Sequence, residues 1–168
     1  MKNLIALFAA IVLVSGFTTV SAQVTATATG SAIVITPIAI SKTTDMNFGT
    51  LAVSTAPGTV VLTTASTRTQ TGGVTLPAVK GTVAAAVFHV TGLTGSTYAI
   101  TLPSTYSIND GASHTMTIDT FTSTPSATGT LTAGAQDIQV GATLNVSGSQ
   151  VAGTYTSNTG FPVTVNYN

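Results

Sequence analysis

Any chemistry in this chain has to come from a short list of side chains. Its 168 residues include two histidines, His89 and His114, four acidic residues, four basic residues and no cysteine. The acids are all aspartate (Asp45, Asp110, Asp119, Asp137), and the bases are Lys2, Lys42, Arg68 and Lys80. Without cysteine there is no thiol nucleophile, thiolate metal site or disulfide framework. Without glutamate, a paired-carboxylate hydrolase would need two of the four aspartates to converge. Histidine can ligate a metal or act as a general base. His89 and His114, however, each fall in a predicted strand with no carboxylate motif beside them, the usual setting of a packed or solvated side chain. Asp110 sits in Asn109-Asp110-Gly111, where turn formation explains it. A Ser-His-Asp triad is defined in space rather than in sequence. Even so, no Gly-x-Ser-x-Gly elbow occurs, and no Gly is followed directly by Lys as in a phosphate-cradling loop. The chain is not expected to be an enzyme, and no cofactor or metal is expected.

The composition narrows the class further. Hydrophobic residues make up 43% of the chain and charged residues only 5%, against roughly a quarter charged in ordinary globular proteins. Disorder requires low hydrophobicity and high net charge, and neither holds. The formal net charge is zero, and with no basic patch to neutralise phosphates, nucleic-acid binding is not expected. Threonine takes the place of charge, with serine and glycine behind it. Threonine is β-branched and suits the exposed face of a pleated sheet.

The elements that would position these side chains read as strands. Met1-Lys2-Asn3 is a short positive start, Leu4 to Val14 an apolar run, and Val20-Ser21-Ala22 a small-residue cleavage site. Residues 1–22 therefore read as a cleaved secretory signal peptide, too short in its apolar run for a membrane span. The mature chain would begin at Gln23, with residues 23–168 as one domain and no membrane span. From Gln23 to Gly30, Val24, Ala26 and Ala28 alternate with Thr25, Thr27 and Thr29, a period of two. Ala32 to Ile40 reads as an apolar strand interrupted by Pro37, which cannot donate to a ladder. Lys42 to Asp45 reads as a polar turn, and Met46 to Leu51 as a short strand. Pro57-Gly58 reads as a turn and Ala65 to Gly73 as a loop.

Thr82 to Thr91, Thr97 to Leu102 and Ser113 to Thr122 each alternate. In the last, His114, Met116 and Ile118 share one face, while Asp119 and Phe121 share the other. Asn109-Asp110-Gly111 is the strongest hairpin signal. Asp137 to Val146 reads as a strand that Gly141 could bend. The last strand puts Phe161, Val163, Val165 and Tyr167 on one face. Strand termini fray unless tied down, so an alternating segment ending in a tyrosine predicts docking into a sheet. No helical period is convincing beyond residue 22. About ten short strands between turns predict a β-sandwich of two packed sheets, with a closed barrel as its competitor. No fixed repeat supports a solenoid.

Several stretches carry a family resemblance. They are Ala26 to Thr29, Ile33 to Ile40, Asp45-Met46-Asn47-Phe48-Gly49-Thr50, and the ending Ala152-Gly153-Thr154-Tyr155 with Val163 to Tyr167. Together they resemble a Thr-rich secreted bacterial family of unknown function. They are distantly similar to the spore-coat-protein-U-type pilins of archaic chaperone–usher systems. The resemblance implies an immunoglobulin-like two-sheet β-sandwich completed by a strand from a neighbouring subunit. An unpaired sheet edge is a template for such a strand. It also implies residues 23–29 as donor, with Val24, Ala26 and Ala28 on the inserting face. Phe161, Val163, Val165 and Tyr167 would then line the acceptor groove. The implied partners are copies of the chain or related subunits, a periplasmic chaperone and an outer-membrane usher. The implied setting is the surface of a Gram-negative bacterium, reached through the periplasm. The inserting side chains are mostly alanine and bury little apolar area. Three arrangements stay open: backbone pairing supplies most of the affinity, residues 23–40 act as one long donor, or the fold is self-complete. The alternative function is a self-contained carbohydrate- or ice-binding module.

Overall fold

The fold is built around one long strand. Ile138, Val140, Ala142, Leu144 and Val146 are all buried and fall two apart, so they share one face of a continuous strand, β9 (Ala135–Val146). The computed structural model describes residues 22–168; residues 1–21, which hold nearly all of the expected signal sequence, lie outside the described residues. The chain falls into two units, Met1–Ile33 and Val34–Asn168. In the first, residues 22–33 form no helix or strand and are exposed, so the strand expected over Gln23–Gly30 is not formed within the chain.

The second unit is all-β. In chain order it contains β1 (Ala39–Thr44), β2 (Ala52–Leu62), β3 (Arg68–Thr75), β4 (Ala86–Thr91), β5 (Thr97–Thr101), β6 (Thr105–Asn109), β7 (Thr115–Thr124), β8 (Thr128–Thr130), β9 and β10 (Thr164–Tyr167). These make two antiparallel sheets, one of seven strands and one of three in the order β10-β5-β8, the two-layer arrangement of a β-sandwich.

In the large sheet β9 has three partners. Its first half pairs with β4 (Ala86↔Val140 to Thr91↔Ala135) and its second half with β2 (Leu62↔Ala142 to Gly58↔Val146). β7 pairs with β9 on both sides of Gly141. β1 joins β4, β3 joins β2 and β6 joins β7. Gly141 stands where the partner changes. A Cβ there would collide with the Leu62 carbonyl, so the close approach requires glycine. The strand runs unbroken through that point, and the β7–β9 register shifts beside it, between Asp119 and Thr122.

The partner change divides the core in two. The first cluster (Ala86, Phe88, Val90, Ile138, Val140 with Tyr98, Leu131 and Val165) takes residues from both sheets. The second (Val60, Leu62, Val74, Met116, Ile118, Ala142, Leu144, Val146 and Phe48) takes none from the three-stranded sheet. The small sheet covers one half of the large sheet, and irregular chain covers the other.

Several local expectations are corrected. β1 starts at Ala39, just past Pro37, and continues through Lys42–Thr44 where a turn was expected. Met46–Leu51 forms no strand and makes one bridge, Asn47↔Ala84. Pro57-Gly58 is no turn but lies inside β2 at an irregularity, where pairing passes from Val53↔Val74 to Gly58↔Gly72. Gly72 takes φ 64°, and any Cβ on Gly73 would meet the Ala56 carbonyl. The Gly72-Gly73 pair therefore lies inside β3, opposite the extra residues of β2 at this bulge, rather than in a loop. Phe121, expected to share the face of Asp119 opposite Met116 and Ile118, instead packs against both core clusters, the first of which contains those two residues. Thr120 has φ 49° and the β7–β9 register shifts between Asp119 and Thr122, which turns Phe121 inward.

Candidate functional site

The half of the large sheet without a second layer carries a cavity of about 750 Å³, within the size range of ligand sites. Met116, Ile118 and Leu144 form its floor, and Tyr106 and Ile108 of β6 one wall. The Asp45–Val53 segment forms the facing wall, and residues 150–157 with Phe161 close the rest.

Each wall is held by identifiable bonds. The guanidinium of Arg68, at the start of β3, donates from Nη1 to the carbonyls of Phe48 (2.5 Å) and Thr50 (2.7 Å). The Gly49 amide donates to Asn47 Oδ1 at 2.8 Å, and Gly49 has φ 70°, a conformation glycine adopts without strain. This turn and clamp carry Phe48 into the core, where it is 7% exposed. In the loop, the Tyr155 hydroxyl donates to the Val151 carbonyl (2.8 Å) and accepts from Gln150 Nε2 (2.9 Å). Asn109 exchanges two backbone hydrogen bonds with Thr156 at the outer edge of β6. Among the described residues Asp45 is the one charged residue lining the cavity, and Lys42 pairs with it at 2.5 Å.

The residues expected to line an acceptor groove are only partly assembled here. Phe161, Val163, Val165 and Tyr167 do alternate inward, and all four pack in the two-sheet core cluster. Of the four, only Phe161 reaches the cavity, its ring 6.1 Å from that of Tyr106 and 5.1 Å from that of Phe121. Val163, Val165 and Tyr167 lie in the domain's own core. Tyr167 also ties the end of the chain: its hydroxyl donates to the Thr36 carbonyl and accepts the Leu93 amide. Val24 is 92% exposed, Ala26 and Ala28 are exposed, and none belongs to a strand. Among the described residues the most exposed large apolar side chain is Val34, 96% exposed, and Ile35 beside it is 48% exposed.

Both histidines have a carboxylate partner that the sequence reading missed. His89 and Asp137 stand directly opposite across β4 and β9, with Nδ1 2.7 Å from Oδ1. Only the sheet register could have revealed that pair. His114 lies four residues after Asp110, with Nδ1 2.6 Å from Oδ2. The Asp110 carboxylate also accepts the amides of Ala112 (2.9 Å) and His114 (3.3 Å). The hydrogen bond from His114 chiefly holds the Asp110 carboxyl below the usual range, helped by those amides and against partial desolvation. Neither pair lines the cavity, and among the described residues no three of His, Cys, Asp or Glu gather as a metal site would need.

Residues 38–167 match the family model described as "Domain of unknown function (DUF4402)". No curated protein and no solved structure matches the chain.

Proposed function

The chain belongs to the DUF4402 family, a domain of unknown function, and from that premise we propose that it is a structural or adhesive cell-surface subunit joined to its neighbours by a donated strand. In this reading the protein is exported through the periplasm of a Gram-negative bacterium and assembles with copies of itself or related subunits, handled by a periplasmic chaperone and an outer-membrane usher. It resembles spore-coat-protein-U-type pilins in this respect and is not an enzyme. The observation that carries the reading is an exposed apolar segment that precedes the matched family domain. Val34 and Ile35 are exposed, immediately before the family domain starts at residue 38. Exposed apolar chain with strand-forming residues is what a strand donor requires. The donor lies within residues 23–35, where Gly30-Ser31 allows a break between the inserting face of Val24, Ala26 and Ala28 and the apolar residues that follow. The test is electron microscopy and sedimentation of the chain expressed from Met1. Filaments are expected, and deleting residues 23–35 should leave a folded monomer that does not assemble. A full-length chain that stays monomeric, or a deletion that unfolds the domain, overturns the reading.

A second reading, a carbohydrate- or ice-binding module, is favoured by a different surface. The register aligns Thr71, Thr59, Asn145, Thr117 and Ser107 in one row across β3-β2-β9-β7-β6. The next row reads Thr69, Val61, Thr143, Asp119 and Thr105. Both rows face away from the core, with neighbours about 4.8 Å apart across strands. An ice-recrystallisation or glycan-array signal from isolated monomer would support this reading over assembly.

A further inference from the structure

We propose that the cavity beside β6 is the acceptor site of this assembly and that Ile33 and Ile35 of a second copy fill it; the inference rests on the strand-donation reading above.

The edge of β6 offers the backbone template. In an antiparallel strand alternate residues direct their N–H and C=O groups to opposite edges. Asn109 directs both groups away from β7, to Thr156, so Ser107 and Thr105 present theirs on the same outer edge. Among the described residues no chain segment beyond Thr156 continues that pairing. A strand added there would extend the large sheet over the half that has no second layer. Its inward side chains would enter the cavity beside Tyr106 and Ile108.

The donor segment fits this space in pattern and in charge. Ile33 and Ile35 are two apart and share a face when extended, leaving Val34 outward. No charged residue occurs between Lys2 and Lys42, and the cavity's one charge, Asp45, is already paired with Lys42. Insertion therefore strips water from apolar groups without burying an unpaired charge.

The occupant comes from another copy because the chain is fastened just after Ile35. The Thr36 carbonyl is bound by Tyr167, and Ile38 and Ile40 pack in the two-sheet core. From there β1 carries the chain to Asp45 at the cavity, a run of six strand residues spanning roughly 15–20 Å. Ile35 is thus held at the far end of β1 from the groove of its own copy. A contact that passes from one end of a subunit to the groove of the next is head-to-tail, and it propagates into a filament where the rotation between copies does not close a ring.

The absence of cysteine from the chain allows an unambiguous test by paired cysteines in the full chain, bridged with a short bismaleimide. Ile35→Cys with Ile108→Cys should give a ladder of covalent multimers, and Ile35→Cys with Val163→Cys should give none. Each variant is first checked for cooperative unfolding like that of the parent. Ile35→Asp should abolish filaments while leaving the monomer's melting temperature unchanged. A ladder from the Val163 pair, or no ladder from either pair while filaments still form, overturns the groove assignment and leaves strand donation standing. No ladder from either pair together with a parent chain that stays monomeric in sedimentation overturns both.

Discussion

The hydroxyl of Tyr167 donates to the carbonyl of Thr36 at 2.9 Å, linking the last strand to the segment that leads into the first. The same oxygen accepts the Leu93 amide at 2.6 Å, and Gly92 leaves it room, since a Cβ there would occupy the hydroxyl's position. Tyr167→Phe removes both bonds and leaves the Leu93 N–H and Thr36 C=O without that partner. The expected loss is about 1–2 kcal/mol of stability, measured by urea unfolding. Proteolytic cleavage around residues 34–38 should also become faster, because the segment loses its tie.

Arg68 holds one wall of the cavity through the Phe48 and Thr50 carbonyls. Arg68→Ala should cost about 2–3 kcal/mol, since hydrogen bonds from a charged donor are the stronger kind. Phe48 should become more accessible to solvent, read by hydrogen exchange over residues 46–51. Arg68→Lys should recover only part of the loss, because one ammonium does not reproduce the guanidinium's geometry.

At Gly141 any side chain meets the Leu62 carbonyl. Gly141→Ala should therefore destabilise the domain by about 1–3 kcal/mol through forced displacement of β2 or β9. The check is a denaturant midpoint that falls with an unchanged slope.

Asp110 gives the fold an acid-sensitive turn. Its carboxyl is held below its ordinary value of 3.8 by His114 and the amides of the turn. A depressed carboxyl contributes stability that is fully present above the unfolded value and is lost as pH falls through the lower, folded one. Melting temperature should thus decline as pH drops below about 4. Asp110→Asn should be less stable at neutral pH and should lack that part of the decline.

The alternation of side chains made much of this architecture legible. Period alone grouped Met116 with Ile118 on one face of their strand and put Val165 on the inward face of the last one, and all three are buried. Asn109-Asp110-Gly111 identified the β6–β7 hairpin, with φ 80° at Gly111. What failed did so where backbone irregularity rather than side-chain type decides. Thr120 at positive φ reversed the face of Phe121, and nothing in a threonine announces that. Pro57-Gly58 and Gly72-Gly73 carry turn chemistry, yet in the sheet they face each other across one bulge. The cavity was invisible to the sequence for a related reason. It arises because the small sheet spans only part of the large one, a property of how strands are shared out rather than of any segment. The groove role of Phe161, Val163, Val165 and Tyr167 came from the family resemblance; their alternation reports only that they turn inward and does not say against what.

The partner change along β9 also sets an order of events. β2, β4 and β7 all pair with this one strand, and it lies near the end of the chain. Until residues 135–146 arrive, those three strands lack their common neighbour and the two halves of the core have nothing to join them. Pairings so distant in sequence must close long loops before they return any energy, which makes such folds slow to form. Hairpins such as β2–β3 and β6–β7 need no β9 to pair, but the large sheet commits to its native register only when β9 is in hand.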